Sequence, residues 1–227
     1  MPHRFSKRGS TSMPPPPHTG GQQTRADLLD AAVPLFVKEG FDGVSVARIA
    51  QSASAFPNQV TYHFGGKDAL FVEAASLAIL RAAKDAEHAT RRSGSIDDHA
   101  RTLVAHLLGP GSDAVMCFAE AMLMARRRPE LSRIIRTTLD RLHTAGEAAM
   151  VETLMRTGWR TRVMPDVITR GFWSAVFGLA VEKAATGSEF EYESGEAVAL
   201  LLMNLDRSLH EHGARNKENE SKDTDVD

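Results

Sequence analysis

The stretch F-P-N-Q-V-T-Y-H-F-G-G-K-D-A-L, Phe56 to Leu70, decides how the chain is read. Pro57 opens a helix at the position where its missing N–H costs nothing, and it pushes Phe56 into the extended backbone that a helix cap needs. Within helix 57–64 the apolar residues Val60 and Phe64 stand four apart and therefore share one face. Asn58, Gln59, Thr61, Tyr62 and His63 are left to face outward. Asn and Gln can bond bidentately to adenine in a major groove, and a Thr methyl can meet the thymine methyl. Tyr and His can donate to phosphate oxygens, which sets register without reading sequence. Gly65 and Gly66 supply the left-handed or extended backbone that ends one helix and begins the next. Lys67 then stands at a helix N-terminus, where free amides and the dipole already favour an anion such as one DNA phosphate. The plainer reading of the same residues is a solvated polar face on a helical domain.

Upstream, V-S-V-A-R-I-A-Q-S-A (Val44 to Ala53) places Val46, Ile49, Ala50 and Ala53 on one face, with Ser45 as the cap. The break at Ser54 to Phe56 gives two short helices joined by a tight turn. Further upstream, T-R-A-D-L-L-D-A-A-V-P-L-F-V-K-E-G reads as a helix with Thr24 as N-cap and Gly40 as stop. Its apolar residues are Leu28, Leu29, Ala32, Leu35 and Phe36; Pro34 is expected to remove one backbone hydrogen bond and kink the last turns.

The segment Val44 to Leu70 resembles the DNA-binding region of the TetR family of bacterial transcriptional regulators. Val46, Ile49, Ala50, Ala53, Val60, Tyr62, His63, Phe64, Lys67 and Leu70 fall where that family carries its helix-turn-helix and the lysine that follows the recognition helix. L-F-x-x-x-G-F-D-G-V-S-V, Leu35 to Val46, looks like the family's first helix and its exit. Ala53-Ser54-Ala55-Phe56 departs from the family's usual Ala-Gly-Val-Ser, so Ser54 has to adopt a positive φ at some cost and the recognition helix lacks a hydroxyl cap. Thr61 stands where a tyrosine is common and Asn58 where a glycine is frequent, which points to a different operator sequence. The DNA-contact set is Ser45, Arg48, Pro57, Asn58, Gln59, Thr61, Tyr62, His63 and Lys67. The resemblance implies an all-α fold, with an N-terminal three-helix DNA-binding domain and a C-terminal helical bundle for ligand binding and dimerisation. It also implies that a bound ligand moves the two DNA-reading helices apart.

The expected layout is a basic arm over residues 1–23, the helix-turn-helix domain over 24–70, the helical bundle over 71–212 and a solvated tail over 213–227. Periodicity and Gly/Pro punctuation place helices near 68–92, 96–108, 113–127, 130–157, 165–186 and 194–212. Helix 165–186 is apolar on nearly every side from Gly171 to Val181 and needs partners on both faces. With helix 194–212, which carries Val198, Leu201, Leu202, Leu205 and Leu209, it is the expected interface of a homodimer; the alternative is that both are internal to a monomer. Phe118, Met122, Trp159, Phe172, Trp173 and Phe177 are the ligand-pocket candidates, since aromatics and Met line apolar sites, and each reads equally as plain core. The basic run Arg126 to Arg136 could hold an anionic ligand or be a solvated helix junction.

A net charge of −2 over 227 residues confines any nucleic-acid contact to a local surface. Cys117, the single cysteine, lies in an apolar run that fits a buried residue in a reducing compartment. No run is long enough to cross a bilayer and the N-terminus lacks the apolar segment of a secretory signal, so a cytoplasmic protein with no membrane partner is expected. No nucleophile elbow, P-loop, dinucleotide glycine pattern or metal-spaced Cys/His set is present, and Asp97 to His99 and His210 to His212 are the nearest approaches to a metal cluster. The reading is a regulator without catalytic residues or cofactor, binding a palindromic DNA operator and an unknown small-molecule effector. The alternative is a helical sequestering protein whose helix-turn-helix no longer reads DNA.

Overall fold

A computed structural model of the chain describes residues 19–161 and 163–187. The expected helix 194–212, the tail 213–227 and the first eighteen residues of the arm lie outside the described residues. The described chain is all helical: α1 (Thr19–Glu39), α2 (Val46–Ser52), α3 (Pro57–Phe64), α4 (Lys67–Thr90), α5 (Ile96–Leu108), α6 (Ser112–Arg127), α7 (Ser132–Thr157) and α8 (Pro165–Thr186), with a 3₁₀ turn at Pro129–Leu131.

The first helix corrects the sequence reading at its start. α1 begins at Thr19, so Thr24 is an interior residue whose hydroxyl donates to the Gly20 carbonyl at 2.9 Å, and it does not cap the helix. A second local bond, from the Gln23 amide to Asp27 Oδ1 at 2.8 Å, supports the added turn. That turn also has a neighbour, since a Cβ placed on Gly21 would lie 4.0 Å from His63 Cε1. Residues 19–23 therefore belong to the helix and not to the arm. α1 runs on through Pro34 and ends where Gly40, at φ 68°, donates to the Phe36 carbonyl.

The helix-turn-helix forms as its residues dictate. Ser45 caps α2 by accepting the Arg48 N–H at 3.2 Å. The turn closes on Ser54, which holds φ 52° and is the one non-glycine residue with positive φ among the described residues. Its strain is compensated by the Ala55 N–H, which donates to the Ala50 carbonyl at 2.8 Å and closes the end of α2. Val60 and Phe64 are buried against α2 and α4, as their spacing predicts. Gly65 (φ 80°) ends α3, and Gly66 begins α4.

One long helix organises the rest. α4 buries Leu70, Phe71, Val72, Ala74, Ala75, Ala78 and Ile79 in the core, and it packs against α1, α3, α5, α6 and α7. Phe71 meets Phe36 and Phe41 edge-on at 5.1 and 5.2 Å, which locks α1 and the α1–α2 loop onto α4. The expected domain boundary at residues 70/71 falls inside this helix. α6 brings the buried Cys117, whose thiol is pushed up to about 12 by burial and is no nucleophile at neutral pH. α7 and α8 cross at Gly146, where a Cβ would come within 2.5 Å of Thr169 Cγ2. Thr169 cannot swing aside freely, because its hydroxyl donates to the Pro165 carbonyl at 2.8 Å.

The left-handed backbone at Ser54 yields a first prediction. Ser54→Gly removes a Cβ from a conformation that penalises it and should raise stability by about 1 kcal/mol, less the entropy glycine adds to the unfolded chain. Urea denaturation measures this; a lower midpoint for the variant would show that Ser54 is not strained.

Candidate nucleic-acid interface and ligand cavity

The outward face of α3 is accessible. Pro57, Asn58, Thr61 and Tyr62 are exposed, Tyr62 at 83%, while Gln59 and His63 are half-buried. Tyr62 and His63 touch edge-to-face at 4.8 Å and form one aromatic ledge with two polar tips. Ser45 and Arg48 are exposed at the start of α2. The residues expected to contact DNA therefore cluster around two short helices and the first turn of α4.

Beyond Ser45, whose hydroxyl caps α2, three of them already hold partners within the chain. Gln59 Oε1 accepts the Phe56 N–H at 2.9 Å and so supplies one half of a capping box; the place of the missing hydroxyl acceptor stays unfilled, and the Gln59 amide N–H groups are the part free to bond elsewhere. Arg48 clasps Glu39 of α1 with both terminal nitrogens, Nη2 to Oε1 at 2.8 Å. Their mutual hydrogen bond holds the carboxyl below and the guanidinium above its ordinary pKa. Lys67 sits in the first turn of α4 with Nζ 4.0 Å from the Phe41 ring centroid, so the charge is positioned and not adrift.

One cation near the interface was missed in the sequence. Arg25 lies over the Phe64 ring at 4.6 Å and pairs with Glu73, bracing α1 against α3 and α4. Its helical neighbourhood gave no signal, because the contact partners are 39 and 48 positions away in the chain. Arg128 of the basic run pairs with Asp68 in the first turn of α4 at 2.8 Å, tying the α6–α7 junction to the base of the recognition element. No residue from 126 to 136 reaches the cavity described next.

Between α4, α5, α7 and α8 lies a cavity of about 410 Å³. Its interior is apolar, with Leu80, Leu103, Leu107, Leu142, Met150 and Ile168. Of the six pocket candidates, Phe172 and Trp173 line it. Phe118 is fully buried elsewhere in the core, with Phe177 between it and Trp173 at 5.7 Å from each, and Met122 packs against the same core. Trp159 stands behind the wall, edge-on to His99 at 5.9 Å. The separation has a plain cause: α6, which carries Phe118 and Met122, contributes nothing to the lining. Polar wall residues that aromatic composition could not reveal are His99, Thr153 and Thr169, with Lys84, Arg91, Arg141 and Arg156 at the exposed rim. Among the described residues no group of three or more His, Cys, Asp or Glu could hold a metal ion, and His210 to His212 lie outside them.

Comparison with known proteins accords with this architecture. Residues 28–74 match the bacterial regulatory proteins of the tetR family, and residues 96–202 match a bacterial transcriptional repressor C-terminal family. The crystal structure of a Rhodococcus sp. RHA1 protein described as a transcriptional regulator is 45% identical, with a TM-score of 0.73 over 82% of this chain and 98% of that one. The chain belongs to the TetR family of bacterial transcriptional regulators. The regulator BetI of Burkholderia pseudomallei (strain K96243) is 30% identical over 139 residues, 58% of this chain and 70% of BetI. The repressor NicS of Pseudomonas putida is 40% identical over 50 residues, 22% of this chain and 24% of NicS. This is a family of transcriptional regulators and not of enzymes. Its members bind DNA operators and small-molecule effectors, often as dimers. No single helix among the described residues is long and apolar enough to cross a membrane.

The bond from Phe56 to Gln59 separates stability from recognition. Gln59→Ala should lower unfolding stability by roughly 0.5–1 kcal/mol through loss of the cap, whereas Asn58→Ala, at an exposed position, should leave it unchanged. Equal stability of both variants in chemical denaturation would mean that Gln59 does not cap α3.

Proposed function

We propose that this chain is a ligand-responsive, one-component repressor that holds a palindromic operator as a homodimer and is released when a small molecule occupies the cavity. The observation that carries the reading is that α4 takes part in both sites. Its first turn positions Lys67 beside α3, and its Leu80–Arg91 portion walls the cavity. A helix of this length spans roughly 36 Å and transmits displacement as a unit. A ligand that prefers a wider cavity shifts α4, and α3 moves with it because Val60 and Phe64 are buried in the same core as Leu70 and Phe71. A differential affinity of about 1–3 kcal/mol between the two states is enough to change operator occupancy 5–150-fold.

In this reading Asn58 and the free amide of Gln59 contact base edges, Thr61 meets a methyl or phosphate, and Tyr62, His63, Lys67 and Ser45 hold phosphates. Arg48 exchanges Glu39 for a phosphate when DNA arrives. The second copy packs on the outward face of α8, where Val167, Ser174, Gly178 and Val181 recur at seven-, four- and three-residue spacing and are exposed in the single chain. Small side chains in such a stripe let another helix approach closely, and a two-fold axis would then present two α3 helices to half-sites one DNA turn apart. Repression is favoured over activation by the repressor C-terminal match and by the name of NicS. The DNA-binding unit extends to the start of α4, the remainder is the effector unit, and the protein acts in the cytoplasm.

Selection from random duplexes by the purified protein tests this reading. A palindromic site should emerge, bound with a steep salt dependence. Asn58→Ala should relax preference at one base pair per half-site, and Lys67→Ala should weaken all sequences alike and flatten the salt slope by about one unit. No enriched sequence from a folded protein would leave a sequestering protein as the reading to pursue.

A further inference from the structure

The cavity's charges are unevenly spoken for. Its rim carries four cations, Lys84, Arg91, Arg141 and Arg156, against two carboxylates, Glu87 and Glu152. Glu87 is taken by Arg91 at 3.3 Å. Among the described residues, Lys84, Arg141 and Arg156 have neither an ion pair nor a hydrogen bond. The mouth thus has a local excess of two positive charges on a chain whose overall charge is −2.

A second observation comes from deeper in the wall. His99 is 6% exposed, lines the cavity, and has an Nδ1 atom with no hydrogen-bond partner. A buried polar atom left unpaired is costly, and a ligand that supplies its partner recovers that cost. Burial and the nearby Arg156 charge disfavour the protonated ring and outweigh the opposing effects of a Thr90 backbone hydrogen bond and the Asp98 charge. A negative group placed between the ring and Arg156 would remove the effect of that charge. The interior beyond His99 is apolar, with Leu103, Met150, Phe172 and Trp173, so one end of the ligand has to be hydrocarbon.

We propose that the effector is an amphipathic organic anion, with an aliphatic or aromatic body in the apolar interior and a single anionic head group held by Arg156 beside His99. A guanidinium fork suits a carboxylate or phosphate, and Arg156 stands in the last turn of α7, on a different wall of the cavity from α4. Arg141, fifteen residues earlier on α7, lies too far along the helix to share the same head group. Such a ligand spans the cavity from α7 to α4. This inference rests on the cavity being the effector site.

Three ten-carbon probes that differ only at the head test it: decanoate, 1-decanol and decyltrimethylammonium, each below its micelle concentration. Trp173 lines the cavity and Trp159 abuts His99, and these are the chain's two tryptophans, so intrinsic fluorescence reports occupancy directly. Decanoate should bind about tenfold or more tighter than decanol, with the ammonium weakest. The variant Arg156→Gln should remove that preference and leave decanol binding unchanged. Arg136→Gln, exposed on the same helix but outside the cavity, should behave as the parent. Equal binding of decanoate and decanol, tighter binding of the ammonium, or decanoate binding indifferent to Arg156→Gln would overturn the proposal, as would no binding of any probe to the folded protein. Operator release measured on the same samples separates the two readings. Decanoate that binds through Arg156 without releasing DNA leaves the anion site standing and refutes release, whereas release by decanol alone does the opposite.

Discussion

Helix α4 has to bury a face along all of its turns, and that demand places the other elements among the described residues. Its first half carries Leu70, Phe71, Ala74, Ala75 and Ile79 into a core shared with α1, α2 and α3. Each fully buried Leu, Ile or Phe in that core is worth roughly 1.5–3 kcal/mol. The DNA-reading unit is too small to hold itself together against the entropy of ordering it, and it gains its stability by docking on a helix that it shares with the bundle. The second half of α4 leaves its wall open on the cavity, where Leu80 and Ala83 face space instead of side chains. The large buried side chains of α4 are thus concentrated at its DNA end, whereas its ligand end buries only the small residues Ala82, Ala86 and Thr90. A helix anchored firmly at one end and loosely at the other is suited to being moved by what fills the loose end.

The polar surface of α3 is prepared in a complementary way. Phe56 N–H holds Gln59, Glu39 holds Arg48 and the Phe41 ring holds Lys67. Pre-positioned side chains lose less rotamer entropy on binding, which partly offsets the bonds they exchange. Tyr62, by contrast, is solvated and free, a side chain with an apolar ring that gains contact only when a partner arrives. The recognition surface therefore combines fixed donors with one large adaptable contact.

How far the residues alone disclosed this depends on the range of the interaction. Local rules sufficed for most of α2 and α3: the Ser45 cap, the burial of Val60 and Phe64 and the glycine break at Gly65 all follow from residues within a few positions, whereas the positive φ of Ser54 is legible only against the glycine that the family usually has there. The start of α1 was misplaced because Thr24 has the chemistry of a cap, yet the turn before it lies against His63 of α3, a contact invisible along the chain. The cavity was the least legible part. Aromatic content marked Phe118 and Phe177, but those rings fill a close-packed core, and the lining is set by the crossing of α7 and α8 at Gly146 and by which face of α5 turns inward. His99 looked like half of a weak metal cluster with Asp97; its burial beside Trp159 gives it a different role.

The central claim is that α4 couples cavity and recognition helix, and coupling is reciprocal: whatever holds α3 must alter the cavity end. Hydrogen exchange followed by mass spectrometry, with and without a selected operator duplex, measures this without any knowledge of the effector. The account predicts changed protection in peptides covering Leu80–Arg91 of α4 and Arg141–Arg156 of α7, in addition to protection across α1 to α3. Changes confined to residues 19–74, with the cavity walls exchanging as in the free protein, would contradict it.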